Sequence, residues 1–407
     1  MQSCEDTIWW HVYTLGACGA PIRSERTPGH RLRRLTDSLD TALDIGASGL
    51  LLGPIFQSST HGYDTSDYFT IDERLGDEED FSALITACRE RGLRLLLDGV
   101  FSHVGDRHPL LARALAEGPD SWAGRLLHID WSGPYPWYFE GHHDLVRFDH
   151  SHDETIAYVA DIMTHWLARG IDGWRLDAAY SVDPAFWHEV LSRVRARFPQ
   201  AYILGEVIHG DYPALVEAGT LSTLTQYELW KSIWSSLQST NFFELDWTLS
   251  RHNEFLERFV PQTFIGNHDV TRIASTLGPQ GAVAALAILM TVGGTPSIYY
   301  GDERAATGVK EERPGGDDAI RPALPLAHEA LGPEAAAVLS AHRELIALRR
   351  ARPWLTRART IPIELTNERY RYRASSPTDE LEVLVDLAGE HPRIQISEGG
   401  AVIWSRG

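Results

Sequence analysis

Only three cysteines, Cys4, Cys18 and Cys88, stand in the 407 residues. That is too few for a disulfide framework, and they have no metal-ligand spacing, so each is expected to act as a small buried apolar residue. Positive charge is also scarce. Lys and Arg total 37 against 56 Asp and Glu, a formal charge of −19. Such a surface repels phosphate backbones and anionic lipid, so neither nucleic acid nor a membrane is expected as a partner. Apolar runs fall short of the roughly 20 residues that a membrane span needs. The opening MQSCEDTIWWHVYTLG holds no basic leader, no long apolar core and no small-residue cleavage site, and a cytoplasmic location is expected. No internal repeat or low-complexity tract stands out. What remains is ordinary globular material, 43% hydrophobic and 23% charged, enough to bury a large core, which excludes a disordered or fibrous chain.

Apolar runs of strand length alternate with helical patterns along most of the chain. Residues 8–13, 49–54, 93–100, 173–177, 202–206, 221–226, 262–267 and 296–300 read as eight strands. Between them, 33–46, 81–92, 155–170 and 185–198 carry apolar residues at helical spacing, three of the four ending in Gly. Strands that are almost continuously apolar and separated by helices point to a covered parallel sheet, and eight such units predict a closed (β/α)8 barrel, an α/β fold. Residues 104–152 break the rhythm with a stretch rich in Trp, Pro, Gly and His, an insert after the third strand placed to shape a cleft. At least half of its aromatics (Trp122, Trp131, Tyr135, Trp137 and Tyr138) are expected to form the insert's own small core, the others to line the cleft. After a final helix near 335–351, short β-like segments suggest a small C-terminal β domain. The expected division is therefore a barrel over 1–103 and 153–355, an insert over 104–152 and a β domain over 356–407.

In such barrels chemistry sits where strands end and loops begin. The third strand, LRLLLDGVFSH, brings Asp98 and His103 there. In the fourth, GIDGWRLDAA, alternation puts Gly173, Arg175 and Asp177 on one face and Trp174 and Leu176 on the other. An Arg and an Asp facing an apolar interior are not explained by packing, because a buried charged pair costs several kcal/mol in desolvation. The fifth strand delivers Glu206, and the seventh ends in Asn267, His268 and Asp269. Spacings of one and about two βα units bring the three carboxylates to one mouth. Three acids and an arginine suit cleavage of a glycosidic bond. A nucleophilic carboxylate is kept ionised by the guanidinium beside it, a second carboxyl group is kept protonated among other acids, and about 5–5.5 Å between them gives a retaining reaction.

The ordered set DGVFSH, GIDGWRLDAA, ILGEV and FIGNHD, together with GLLLGPIF, HGYDTSDYFTIDERLG and GGTPSIYYGDE, resembles the motifs of the α-amylase family, glycoside hydrolase family 13. Its style is similar to the cyclomaltodextrinase, neopullulanase and α-glucosidase branch. The resemblance covers about residues 8–350. It implies Asp177 as nucleophile, Glu206 as general acid/base and Asp269 as the carboxylate that grips the sugar in the transition state. It further implies that Arg175 orients the nucleophile, that His103 and His268 bind sugar hydroxyls, and that Tyr63 is an aromatic platform. Asp98 is the family's structural acid, and Asp64 and Arg321 resemble a pair closing the far side of the glucose site in exo-acting relatives.

Two departures bear on function. Ser102 stands where most members have Asn, a calcium ligand in classical amylases; serine is a weaker ligand, which leaves calcium dependence open, and no other metal or cofactor is expected. Six His and Asp residues, His142, His143, Asp144, His150, His152 and Asp153, have no tetrahedral ligand spacing and read as a solvated loop. Tyr180 and Ser181 stand where the branch commonly has Asn and Glu, which leaves linkage preference open. The resemblance thus implies a retaining α-glucoside hydrolase acting on maltooligosaccharides or related short α-glucans. A transglycosylase or isomerase would use the same residues, and a silent sugar-binding protein is disfavoured by the intact acids. Oligomeric state is not legible.

Overall fold

A computed structural model describes residues 4–23, 26–325 and 331–407. Eight short parallel strands form one sheet: β1 (Trp9–Val12), β2 (Gly49–Leu52), β3 (Arg94–Gly99), β4 (Gly173–Leu176), β5 (Tyr202–Gly205), β6 (Thr223–Leu224), β7 (Gln262–Phe264) and β8 (Thr295–Tyr299). Their order, β6-β5-β4-β3-β2-β1-β8-β7, follows the chain around a nearly closed barrel. A parallel bridge between Thr225 and Gln262 brings its ends together. All eight expected strands are present. Most are shorter than the apolar run that announced them, because the run continues into the strand-end turns.

The helices show where sequence pattern is weakest. The stretch 33–46, expected as one helix, is two, Leu32–Asp37 and Leu39–Ile45, with the Ser38 hydroxyl turning back onto the Arg34 carbonyl at the break. The helix expected from Phe81 starts earlier, as Glu78–Glu90. Asp77 and Asp80 form a capping box at its start, and its acidic first turn suits the helix dipole.

Internal contacts divide the chain into two compact units. One comprises Tyr13–Leu39 and Leu51–Leu224; the other comprises Met1–Val12, Asp40–Leu50 and Thr225–Gly407. In the first, Trp174 lies on the outward face of β4 and packs on Phe56 and Phe101, while Phe56 and Phe81 pack on Trp166. A buried indole hides about 150–250 Å², so each of these tryptophans contributes on the order of 4–6 kcal/mol before entropy. Trp174 anchors the strand from outside, and its neighbour Arg175 is thereby turned inward. Gly173 is required by close approach, since a Cβ there would lie 1.9 Å from the Tyr202 carbonyl oxygen.

The insert contains more regular structure than its composition announced. The helix Pro109–Glu117 has Pro at its first position and the His108 ring accepting from the Leu110 N–H. Strands His103–Gly105, His142–Arg147 and Tyr138–Phe139 make a small antiparallel sheet. Its core is Leu110, Ala114, Ala123, Leu126, Leu127, Val146 and Phe148. The expectation of an aromatic insert core is corrected: Trp122, Tyr135 and Trp137 are exposed, and Trp131 and Tyr138 are half-buried. The aliphatic residues and Phe148 fill the small space.

In the second unit, one helix, Ile273–Thr291, is long and apolar enough to cross a membrane, which corrects the expectation that no such run exists. Gly278, at φ 70°, and Pro279 break it near its start, and 67% of its most apolar window is buried inside the protein. Five antiparallel strands, Arg359–Leu365, Arg369–Ser375, Glu380–Asp386, Arg393–Glu398 and Ala401–Arg406, pair in chain order. Tyr370, Tyr372, Val383, Val385, Ile394 and Ile396 cover its buried face, the period-two pattern of a sheet with one wet side.

Candidate active site

Strand register places the charged residues. Arg175 in β4 lies opposite Asp98 in β3. Its Nη1 reaches both Asp98 oxygens at 2.7 Å and Asp177 Oδ1 at 3.3 Å, and its Nη2 reaches Glu206 Oε1 at 2.7 Å. One buried guanidinium thus serves three carboxylates. Burial opposes its charge, but Asp98 and Glu206 outweigh that and hold the group protonated. Asp98 also accepts from the Tyr63 hydroxyl at 3.0 Å. Burial is the largest influence on Asp98 and lifts its carboxyl to about 6; Arg175 pulls against this and the Glu206 charge adds to it.

Backbone geometry fixes the other two acids. The Asp177 N–H donates to the Gly99 carbonyl at 3.0 Å, and the Glu206 N–H to the Leu176 carbonyl at 2.9 Å. Directly after Asp177 the chain turns through Ala178, which has φ 45° and ψ 39°. That conformation is costly for a residue with a Cβ, and such strain gathers at functional sites. The turn aims the Ala178 N–H at Glu206 Oε2, 3.0 Å away. Side-chain exposure ranks the acids: 0% for Asp98, 8% for Glu206 and 12% for Asp177. Asp98 is enclosed and Asp177 is the most accessible.

His103 is committed within the protein. Its Nε2 donates to the Tyr63 carbonyl at 2.9 Å, which makes Nδ1 the acceptor for the Ser102 hydroxyl at 2.8 Å. Its ring lies 4.5 Å from that of Phe139. Burial pulls its pKa down to about 3, so it is neutral at any physiological pH. A contact from Nε2 to a sugar hydroxyl therefore requires exchange of its Tyr63 partner. The Ser102 hydroxyl is buried and donates to His103. Asp64 is buried and accepts from the Thr60 hydroxyl at 2.7 Å.

The second unit brings His268, Asp269 and Arg321 together. After β7, the Asn267 amide donates to the Tyr227 hydroxyl at 2.7 Å, and its Oδ1 accepts from the Asp269 N–H at 2.9 Å. Asp269 meets His268 Nε2 at 3.0 Å and Arg321 Nη2 at 3.0 Å. Arg321 also donates to the His268 carbonyl at 2.8 Å and pairs with Asp317 at 3.2 Å. At 34% side-chain exposure, Asp269 is open to a ligand.

Four contacts were not foreseen. His11 in β1 sits edge-on to His268, with centroids 5.1 Å apart; the one polar residue in an otherwise apolar strand was its signal. Tyr180 donates to Glu140 at 2.9 Å, and Glu140 holds φ 48° at the tip of the insert hairpin. Of the six His and Asp residues at the insert's end, His150 bonds the Phe101 carbonyl, and Asp153 pairs with Arg193. Among the described residues, one His/Asp group has ligand atoms close enough for a metal: His30, Asp77 and Asp80. Its Asp80 already serves Arg33 and the capping box.

Known proteins share this arrangement of sequence and fold. The model of the α-amylase catalytic domain matches residues 23–124 and 132–354. The chain is 32% identical over 342 residues to a cyclomaltodextrinase of Geobacillus thermopakistaniensis, covering 75% of this chain and 57% of that one. It is 31% identical to an intracellular maltogenic amylase of Bacillus subtilis, covering 69% and 50%. The chain therefore spans little more than half the length of these curated relatives. A solved cyclic α-maltosyl-(1→6)-maltose hydrolase from Arthrobacter globiformis, in complex with that sugar, superposes with a TM-score of 0.82. Its identity is 25%, and the match covers 94% of this chain and 91% of that one.

Proposed function

Because the chain belongs to the α-amylase family, we propose that it is a retaining α-glucoside hydrolase acting on maltooligosaccharides or related short α-glucans, linear or cyclic. The observation that carries this is the single Arg175 guanidinium shared by Asp98, Asp177 and Glu206. Asp177, the most open of the three, attacks the anomeric carbon as the bond to the leaving oxygen breaks. Glu206 delivers a proton to that oxygen, then takes one from the water that releases the sugar from Asp177. Two carboxyl groups on one guanidinium suit the short separation that retention requires.

Glu206 accepts from Arg175 and from the Ala178 N–H, which suits its role as base. Its acid role requires one of these donors to yield to the substrate's glycosidic oxygen. Asp98 and Tyr63 hold Arg175 in place, while Asp269, braced by Arg321, and His268 supply sugar contacts. No metal takes part in these steps. The relative named as intracellular supports a cytoplasmic location.

A substrate panel tests the proposal. Maltose, isomaltose, nigerose, trehalose, sucrose, maltotriose, cyclodextrins, pullulan and starch are offered to the wild type and to Asp177→Asn. Release of glucose or short maltooligosaccharides, absent in the variant, is expected from one or a few of them. No turnover by the wild type overturns the proposal. Products longer than the substrate at high concentration reassign the chain to transglycosylation, in which a sugar hydroxyl replaces water.

A further inference from the structure

The second unit holds a cavity of about 570 Å³ that begins at Asp269 and runs along the helix Tyr227–Ser239, a size typical of small-molecule sites. Trp230, Trp234 and Gln238 line it from successive turns of that helix, and Lys310 and Glu312, which follow β8, also line it. Positions four apart lie on one helix face, about 6 Å along the axis from each other, so this wall extends over roughly 12 Å. Trp230 is braced by Phe264, stacked at 16°, and by Tyr227. Trp234 lies 5.9 Å from it, tilted by 54°. Both indoles are half-buried, so each keeps some ring surface open.

We infer that this cavity is a subsite for the glucosyl units of an α-glucan that lie beyond the one held at Asp269, an inference that rests on the hydrolase function proposed above. A pyranose ring presents apolar C–H faces and a rim of hydroxyls, so it demands flat apolar walls and scattered polar groups together. Trp230 and Trp234 supply the walls. Gln238, Lys310, Glu312 and Asp269 supply donors and acceptors of both signs. Two acids against one lysine leave no positive excess to select a phosphate or a carboxylate, so a neutral polyhydroxylated ligand fits better than an anion. Continuity with Asp269 makes the cavity an extension for a longer chain rather than a detached site.

Chain-length kinetics test this. In the wild type, kcat/KM is expected to rise from maltose to maltohexaose. In Trp234→Ala the maltohexaose-to-maltose ratio is expected to fall about fivefold through KM, and Trp234→Phe to keep most of it. Should Trp234→Ala fold poorly, Glu312→Trp, at an exposed loop position, narrows the cavity from another side and is expected to give the same loss. An unchanged ratio in well-folded variants overturns the subsite and leaves the hydrolase function standing. If the wild type cleaves no α-glucan, the hydrolase function falls, and calorimetric binding of maltohexaose decides the subsite separately. A Kd weakened about fivefold by Trp234→Ala upholds it; equal or absent binding overturns it.

Discussion

Arg175 in β4 and Arg272 at the start of the helix Ile273–Thr291 are both buried, and their company differs. Arg272 meets one carboxylate, Asp302, at 2.9 Å, and spends its other bonds on the Tyr300 and Ile320 carbonyls, with the Tyr299 ring 4.1 Å away. Its charge is balanced one to one, and the cluster ties the loops after β8 together. Arg175 instead faces three carboxylates. Folding alone gives no reason to bury an excess of negative charge, since even balanced buried pairs barely recover their desolvation cost. Balance thus marks the structural arginine and imbalance the chemical one.

The largest expected effects pull the two clusters apart. Asp177→Asn and Glu206→Gln are each expected to lower kcat by several orders of magnitude while leaving Tm at or above the wild-type value. The double variant should be barely worse than either single one, because members of one catalytic unit are strongly non-additive. A double loss equal to the product of the singles contradicts a shared site. Arg272→Met should do the reverse. It leaves Asp302 buried without its partner, at a cost of about 3–5 kcal/mol, so Tm drops while the kcat of the folded fraction stays within a few-fold of wild type. Loss of kcat with no loss of stability erases the contrast.

The Arg175 side of this contrast was legible in the sequence; the Arg272 side was not. β4 announced itself because Trp174 and Leu176 demand one face and leave Arg175 and Asp177 the other, a purely local consequence of the period of two. Glu206 and Asp269 were found the same way, as polar ends of apolar runs. Partners across space were not legible. Nothing local tells that His103 spends both ring nitrogens on Ser102 and Tyr63, that His11 meets His268, or that Tyr180 reaches Glu140. The insert's exposed aromatics were missed for a related reason: composition says what can pack, whereas the available volume decides what does.

Burial in both units also sets a pH dependence. Desolvation holds His103 down to about 3 and His108, His150, His252 and His342 down to about 4. Folded values below the ordinary 6.5 mean that their stabilising contribution is complete above about pH 6.5 and is lost as pH falls toward 4. Asp98 and Glu303 act oppositely. Burial raises them to about 6 and about 7, so their contribution is gained as pH falls through those values. Five histidines against Asp98, Glu303 and Asp302, which burial also raises, leave net proton uptake on unfolding at about pH 5, and Tm is expected to fall from pH 7 to pH 5. A Tm that rises over that interval contradicts the neutral burial of these histidines. The smallest expected effect is that of a chelator. With the weaker ligand Ser102 in place of the usual Asn, EDTA should change neither activity nor Tm, and a loss restored by calcium would contradict that expectation.

The central claim is that Asp177 and Glu206 work as a nucleophile and acid/base pair on one α-glucosidic bond. Proton NMR of the anomeric signal in the first minutes of hydrolysis, before mutarotation, tests it most directly on whichever substrate the wild type cleaves. The account predicts that the α-anomer appears first and the β-anomer grows in later. A β-anomer appearing first would mean single displacement by water and would contradict the assignment of Asp177 as nucleophile.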